Sequence, residues 1–215
     1  MVTEPVPRIK VCGLRGAEDL PAPFPAALDA VGFVGWHRSP RCVTPERAAR
    51  VVDAIPRRVL PVAVLVEPLP EEAERFLRAS GCRALQLCGR ERPTEWIDFP
   101  YPIFRRVAVD EHAEAEMDAW SALASGFVLD HPAAQGGTGI AVDSTLARKL
   151  AERGVCILAG GLHAENVADL AAAVRPRGVD ASSRLERADG RKDPARVLAF
   201  VEAAARALSL QESTR

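Results

Sequence analysis

Two proton-exchanging side chains stand at the ends of apolar, strand-like runs: Cys12 closes Ile9–Cys12, and Asp130 follows Gly126–Leu129. A thiolate can take a proton from carbon, and a carboxylic acid can give one to oxygen. Such a pair suits general acid–base work, in which one group takes a proton as the other gives one. Cys12 can act as a base only where positive charge or a helix N-terminus lowers its pKa. Lys10, two residues back on the same strand, points to the same side and one layer deeper. Asp130 can act as an acid only where burial or a neighbouring negative charge keeps its proton on near neutral pH. Read singly, a cysteine at a strand end is more often a packing residue, and an aspartate there more often caps the next helix.

Two further segments have the composition of an anion cradle. Ala159-Gly160-Gly161-Leu162 follows one apolar run, and Ala181-Ser182-Ser183-Arg184 follows another. Glycine lets the main chain approach an anion closely, and N–H groups at the start of a short helix point at it. The plainer reading is a pair of turns that need glycine.

Positioning these groups falls to a repeating pattern of elements. Runs rich in β-branched residues predict strands at Ile9–Cys12, Ala30–Val34, Leu60–Val66, Ala84–Leu87, Ile103–Val107, Gly126–Leu129, Cys156–Leu158 and Gly178–Ala181. Most are continuously apolar, as parallel strands covered on both faces are. Helical patterns span Pro45–Ala54, Pro70–Ser80, Glu111–Ala124, Asp143–Arg153, Ala164–Arg175 and Pro194–Leu208, while Pro93–Asp98 is short and weak. Thr44 is placed as an N-cap before Pro45, and Gly81 as a stop after Ser80. Eight strands, each followed by a helix or helix-like connection, predict an α/β fold: a closed (β/α)8 TIM barrel. No spacer divides the chain, so residues 1–215 form one domain with the barrel at about 8–208. In such a barrel function gathers at the C-terminal strand ends and the loops beyond them. That rule selects Cys12, Arg41, Cys88, Arg105 or Arg106, Asp130, Gly160, Gly161, Ser182 and Ser183.

One place resists the pattern. Gly16–Leu20 could begin a helix, but Pro21, Pro23 and Pro25 follow at once. Proline inside a helix costs roughly 3 kcal/mol, and the residue before it is pushed out of the α region. The first helix is therefore expected to be short, displaced or missing.

Composition removes several function classes. The 28 basic and 29 acidic residues leave a net charge of -1, which argues against a nucleic-acid partner. A hydrophobic fraction of 48% excludes the composition of a disordered chain. No apolar run approaches the roughly 18 residues of a membrane span, and Met1–Arg8 lacks the apolar stretch of a signal peptide. The expectation is a cytoplasmic protein with no membrane partner. The five cysteines include no CxxC pair and read as free thiols, with no zinc-site spacing.

Seven stretches, in order from near residue 9 to about residue 200, resemble the phosphoribosylanthranilate isomerase family. They are IKVCGL (Ile9–Leu14), DAVGFVGWHRSPRCVTPE (Asp29–Glu46), ALQLCG (Ala84–Gly89), FVLD (Phe127–Asp130), GGTG (Gly136–Gly139), ILAGGLHAENV (Ile157–Val167) and VDASSRLE (Val179–Glu186). The resemblance implies an Amadori rearrangement, an aldose–ketose isomerisation of N-(5-phosphoribosyl)anthranilate in tryptophan biosynthesis. It implies no metal or organic cofactor, a small phosphorylated substrate, and a monomer or homodimer. By the resemblance Cys12 is the general base and Asp130 the general acid. Arg41 pairs with the anthranilate carboxylate, Asp180 lies near the sugar hydroxyls, and Gly160, Gly161, Ser182 and Ser183 hold the phosphate. Lys10, Cys88, Arg106 and Arg184 complete the implied substrate site, and Gln135–Gly139 resembles a lid loop.

The chain departs from the family pattern around this pocket. Cys88 stands where the family usually has histidine, Arg184 where it has glycine, and Phe104-Arg105-Arg106-Val107 where lysine is common. Gly35-Trp36-His37 replaces a phenylalanine-led strand end. Arg184 could add a cation at the phosphate, or its Cβ could spoil a conformation that wants glycine. These changes leave Cys12 and Asp130 in place. They keep two alternatives open: a paralogue acting on a modified anthranilate or another amino-sugar phosphate, and a non-catalytic barrel that binds a phosphorylated ligand.

Overall fold

The computed structural model describes residues 6–132 and 142–212. Eight parallel strands close in sequence order into a barrel. They are β1 (Ile9–Cys12), β2 (Ala30–Val34), β3 (Leu60–Leu65), β4 (Ala84–Leu87), β5 (Ile103–Ala108), β6 (Ala124–Asp130), β7 (Cys156–Leu158) and β8 (Gly178–Ala181). Closure is made by β1 against β8, with Lys10 opposite Asp180. Among the described residues the helices are α1 (Pro45–Val52), α2 (Pro70–Ser80), α3 (Ala113–Trp120), α4 (Ser144–Arg153), α5 (Val167–Val174) and α6 (Pro194–Glu212). The predicted closed (β/α)8 barrel is the observed fold.

Side-chain alternation divides the strands into two buried faces. Inward residues such as Cys12, Ala30, Val62, Val64, Ala84, Phe104, Val128 and Ile157 fill the barrel. Outward residues such as Val11, Phe33, Leu85, Val107, Leu129 and Val179 pack beneath the helices with Leu77, Met117 and Phe200. This double burial is why the strands read as continuous apolar runs.

The local signals act largely as expected. Thr44 caps α1 by accepting from the Arg47 N–H at 3.3 Å, with Pro45 in the first turn. Gly81 ends α2 in the left-handed region at φ 71°. After β1 the helix is reduced to a 3-10 turn at Ala17–Asp19, and the proline segment follows it. Asp19 is buried there, accepting the N–H groups of Arg15 and Gly16 and pairing with Arg191. Pro93–Asp98 keeps only a 3-10 turn at Pro93–Glu95.

Two helices are shorter than their patterns by four residues or more. Glu111–Ala124 yields α3 over Ala113–Trp120, and Ala124 opens β6 instead of closing the helix. No glycine or proline marks that boundary. Tertiary pairing of Ala124 with Ile103 sets it. Ala164–Arg175 yields α5 from Val167, with Asn166 at its start and Arg175 in the left-handed region at φ 53°.

Candidate functional site

The inner face of β1 sets the floor of the site. The Lys10 side chain is fully buried, and its Nζ meets Asp180 Oδ2 at 2.5 Å. Burial works against the Lys10 charge, but the Asp180 carboxylate outweighs it and holds the ammonium above its usual range. Asp180 Oδ1 is buried with no hydrogen-bond partner among the described residues. One residue further along the inward row lies Cys12. Its thiol occupies the space a side chain would take at Gly32: a Cβ there would stand 2.7 Å from Cys12 Sγ. Glycine at that point of β2 is what gives the thiol its place. Burial pushes the Cys12 thiol up, Lys10 and Lys192 pull it down, and the balance stays above the ordinary thiol range. The lowering that a base requires is therefore not met by these neighbours.

Asp130 ends β6 on the same inward side. Its Oδ2 accepts from Arg106 Nε at 3.2 Å and its Oδ1 from the His131 N–H at 2.8 Å. Arg106 also donates to the His131 carbonyl at 2.8 Å, so the guanidinium clamps this strand end. The contacting charge is thus a cation, and the side chain is 17% exposed, where the acid role calls for burial or a negative neighbour. Arg105 is placed differently from Arg106. It pairs with Glu91 and Glu116, donates to the Gly89 carbonyl at 2.7 Å, and lies 5.0 Å from the Trp120 ring. It braces the loops beyond β4 and β5.

The loops after β7 and β8 form the second wall. Gly160 and Gly161 both have positive φ, 87° and 68°, which L-residues rarely adopt. Among the described residues their N–H groups have no hydrogen-bond partner, while the Gly161 carbonyl is held by Asn166 Nδ2 at 3.1 Å. After β8, Ser183–Leu185 form a 3-10 turn. Arg184 sits in that turn with negative φ, so its Cβ causes no backbone strain. Ser182 Oγ donates to the Cys12 carbonyl at 2.9 Å.

Arg41, beyond β2, turns towards the β8 loop. Its Nε and Nη2 donate to the two oxygens of Glu186 at 2.6 and 2.9 Å. Lys192 Nζ reaches Glu186 Oε1 at 2.7 Å and the Ser182 carbonyl at 3.2 Å. Burial raises the Glu186 carboxyl, but Arg41 and Lys192 overcome that and hold it below its usual range. Neither Glu186 nor Lys192 is singled out in the sequence as a functional residue. A signal for Lys192 exists: lysine occurs only at Lys10, Lys149 and Lys192 among 28 basic residues. Two of these three are fully buried.

A cavity of about 1010 Å³ joins these parts. Cys12, Arg41, Cys88, Arg106, Asp130, Gly160, Gly161, Asp180, Ser182, Ser183 and Arg184 all line it, and Lys10 lies beneath its floor. Gln86, also missed, lines it as well. Its Nε2 donates to Cys88 Sγ at 3.4 Å, and its Oε1 is buried without a partner. Burial pushes the Cys88 thiol up to about 12, so it is a neutral S–H group and no substitute for an ionisable imidazole. The lid segment Gln135–Gly139 lies outside the described residues. Among the described residues no cluster of His, Cys, Asp or Glu is arranged to hold a metal, and no helix is long and apolar enough to cross a membrane.

Residues 9–203 match the family described as N-(5'phosphoribosyl)anthranilate (PRA) isomerase. An N-(5'-phosphoribosyl)anthranilate isomerase from Chromohalobacter salexigens is 40% identical over 201 residues, covering 90% of this chain and 92% of that protein. The crystal structure of phosphoribosyl anthranilate isomerase from Thermotoga maritima superposes with a TM-score of 0.82 at 29% identity, covering 93% of this chain and 99% of that one. A second isomerase structure, in complex with reduced 1-(o-carboxyphenylamino)-1-deoxyribulose 5-phosphate, gives a TM-score of 0.78 at 29% identity over the same shares.

Proposed function

The chain belongs to the phosphoribosylanthranilate isomerase family of tryptophan biosynthesis, and on that premise we propose that Cys12 and Asp130 perform its Amadori rearrangement as base and acid. The observation that carries this reading is the shared cavity. Cys12 and Asp130 face it from β1 and β6, and the two candidate phosphate loops close the same space.

The proposed proton path uses these positions. Asp130 gives a proton to the ribose ring oxygen as the bond from that oxygen to the anomeric carbon breaks. The nitrogen lone pair makes that carbon an iminium. Cys12, as thiolate, removes the proton from the adjacent carbon, and the electron pair left behind forms an enolamine. Tautomerisation, with a proton returned to the anomeric carbon and one lost from the neighbouring hydroxyl, gives the ketose. The change from aldose to ketose makes the enzyme an intramolecular oxidoreductase, and a biosynthetic step on a phosphorylated sugar fits a cytoplasmic setting.

Binding follows from the remaining groups. The N–H groups of Gly160 and Gly161 are free to meet phosphate oxygens, as at other barrel phosphate sites. Ser182, Ser183 and the Arg184 cation stand across from them. Asp180 Oδ1, an acceptor with no partner among the described residues, suits a sugar hydroxyl. Arg41 supplies a guanidinium for the carboxylate of the aromatic acid. Replacing each of Cys12 and Asp130 and following turnover of N-(5-phosphoribosyl)anthranilate tests the assignment. Full activity in either Cys12→Ala or Asp130→Asn removes that residue from its role.

A further inference from the structure

We infer that Glu186, held by Lys192, is a positioning residue that fixes the plane of the Arg41 guanidinium so that its outer edge meets a substrate carboxylate. The inference rests on the proposed role of Arg41 at that carboxylate. It starts from how the donors of one guanidinium are shared out.

A guanidinium offers five N–H groups in a rigid plane, and these present two edges able to grip a carboxylate with two parallel bonds. Glu186 takes the side edge, Nε with one Nη2 hydrogen. The end edge, Nη1 with the other Nη2 hydrogen, has no partner among the described residues. Arg41 lines the cavity with its side chain only 15% exposed. The Glu186 pair therefore does not consume the arginine. It leaves one grip open and removes the rotation that a long side chain otherwise retains.

Glu186 is fixed in turn. Its Oε1 also accepts from Lys192 Nζ, which is wholly buried and bonded to the Ser182 carbonyl and hydroxyl. The loop after β8 thereby sets the angle of a side chain that comes from the loop after β2. The same Ser182 belongs to the candidate phosphate wall. Both ends of a phosphorylated aromatic acid would be referenced to one buried lysine. Preorganisation of this kind acts on binding of the carboxylate and leaves a reaction without one untouched.

That difference supplies the test. Wild type, Glu186→Gln and Glu186→Ala are assayed with N-(5-phosphoribosyl)anthranilate and with N-(5-phosphoribosyl)aniline, which lacks the carboxylate. Thermal unfolding confirms that each variant is folded. The glutamine keeps the volume and one oxygen for Arg41 Nε and Lys192, but its amide NH2 donates where Oε2 accepts from Arg41 Nη2, so the two-bond grip is lost. The expected result is that KM for the carboxylated substrate rises about tenfold or more in both variants, the size of a lost charge-assisted bidentate contact. kcat/KM for the aniline substrate, which shares the phosphate wall held by Lys192, falls several-fold less than that for the carboxylated one. Equal losses on both substrates, or unchanged KM for the carboxylated one, overturn the positioning role. A wild type that shows no preference for the carboxylate overturns the Arg41 reading itself, and the wild-type measurement separates that failure from the other.

Discussion

The Ser182 hydroxyl donates to the Cys12 carbonyl at 2.9 Å, so the loop after β8 is fastened to the strand end that carries the candidate base. Lys192 approaches the same hydroxyl at 3.3 Å and pulls the Cys12 thiol downward through its charge. The phosphate wall and the base thus share one hydrogen-bonded junction. A displacement of the loop moves the cysteine backbone with it.

Ser182→Ala breaks that junction with almost no change in volume. A typical net hydrogen bond contributes about 1 kcal/mol, or roughly a fivefold effect on an equilibrium. The variant should lose about that much stability in chemical denaturation, and its kcat/KM should fall about five- to tenfold. A fall confined to KM would place Ser182 in phosphate binding alone.

Much of this arrangement is legible in the chain. The strand ends, the Thr44 cap, the Gly81 stop and the broken first helix follow from local chemistry that needs no partner. The barrel alternation also places Arg106 on the inward face with Phe104, although Arg105 reaches the cavity lining as well. What local chemistry does not contain is pairing across the barrel mouth. Arg41 and Glu186 are 145 residues apart, and nothing in either neighbourhood names the other. Ala124 looks helical and becomes strand because Ile103 lies beside it. Arg184 looks strained as a replacement for glycine and is not, because the turn after β8 keeps its φ negative. Electrostatic tuning is equally non-local: Lys10 lies where the pattern puts it, yet burial outweighs its pull on Cys12.

The raised Cys12 thiol fixes the direction of the pH dependence. The base is active as thiolate, and its pKa in the free enzyme lies above the ordinary range. Below that pKa the thiolate fraction should rise about tenfold per pH unit through the neutral range and level off only under alkaline conditions, and kcat/KM follows it wherever Asp130 keeps its proton. A profile of kcat/KM against pH checks this. A plateau already reached below neutrality would show that Cys12 titrates lower, or that another group removes the proton.

Gly32→Ala tests the space given to the thiol. A Cβ at this position would lie 2.7 Å from Cys12 Sγ and 3.2 Å from its Cα, so the sulfur must shift. Overpacking of this size costs about 1–3 kcal/mol. The expected outcome is a folded protein of reduced thermal stability whose kcat falls more than its KM rises. Unchanged kcat in a folded variant would mean that the position of Sγ does not matter for turnover.

The central claim is that Cys12 and Asp130 exchange protons with the substrate, and one assay reaches it most directly. Loss of freshly made N-(5-phosphoribosyl)anthranilate is followed by fluorescence in wild type, Cys12→Ala and Asp130→Asn. The account predicts rapid turnover by wild type and a fall in kcat of about 10²–10⁴-fold in each variant, the usual worth of a positioned acid or base. Turnover by a folded Cys12→Ala variant at the wild-type rate would contradict it.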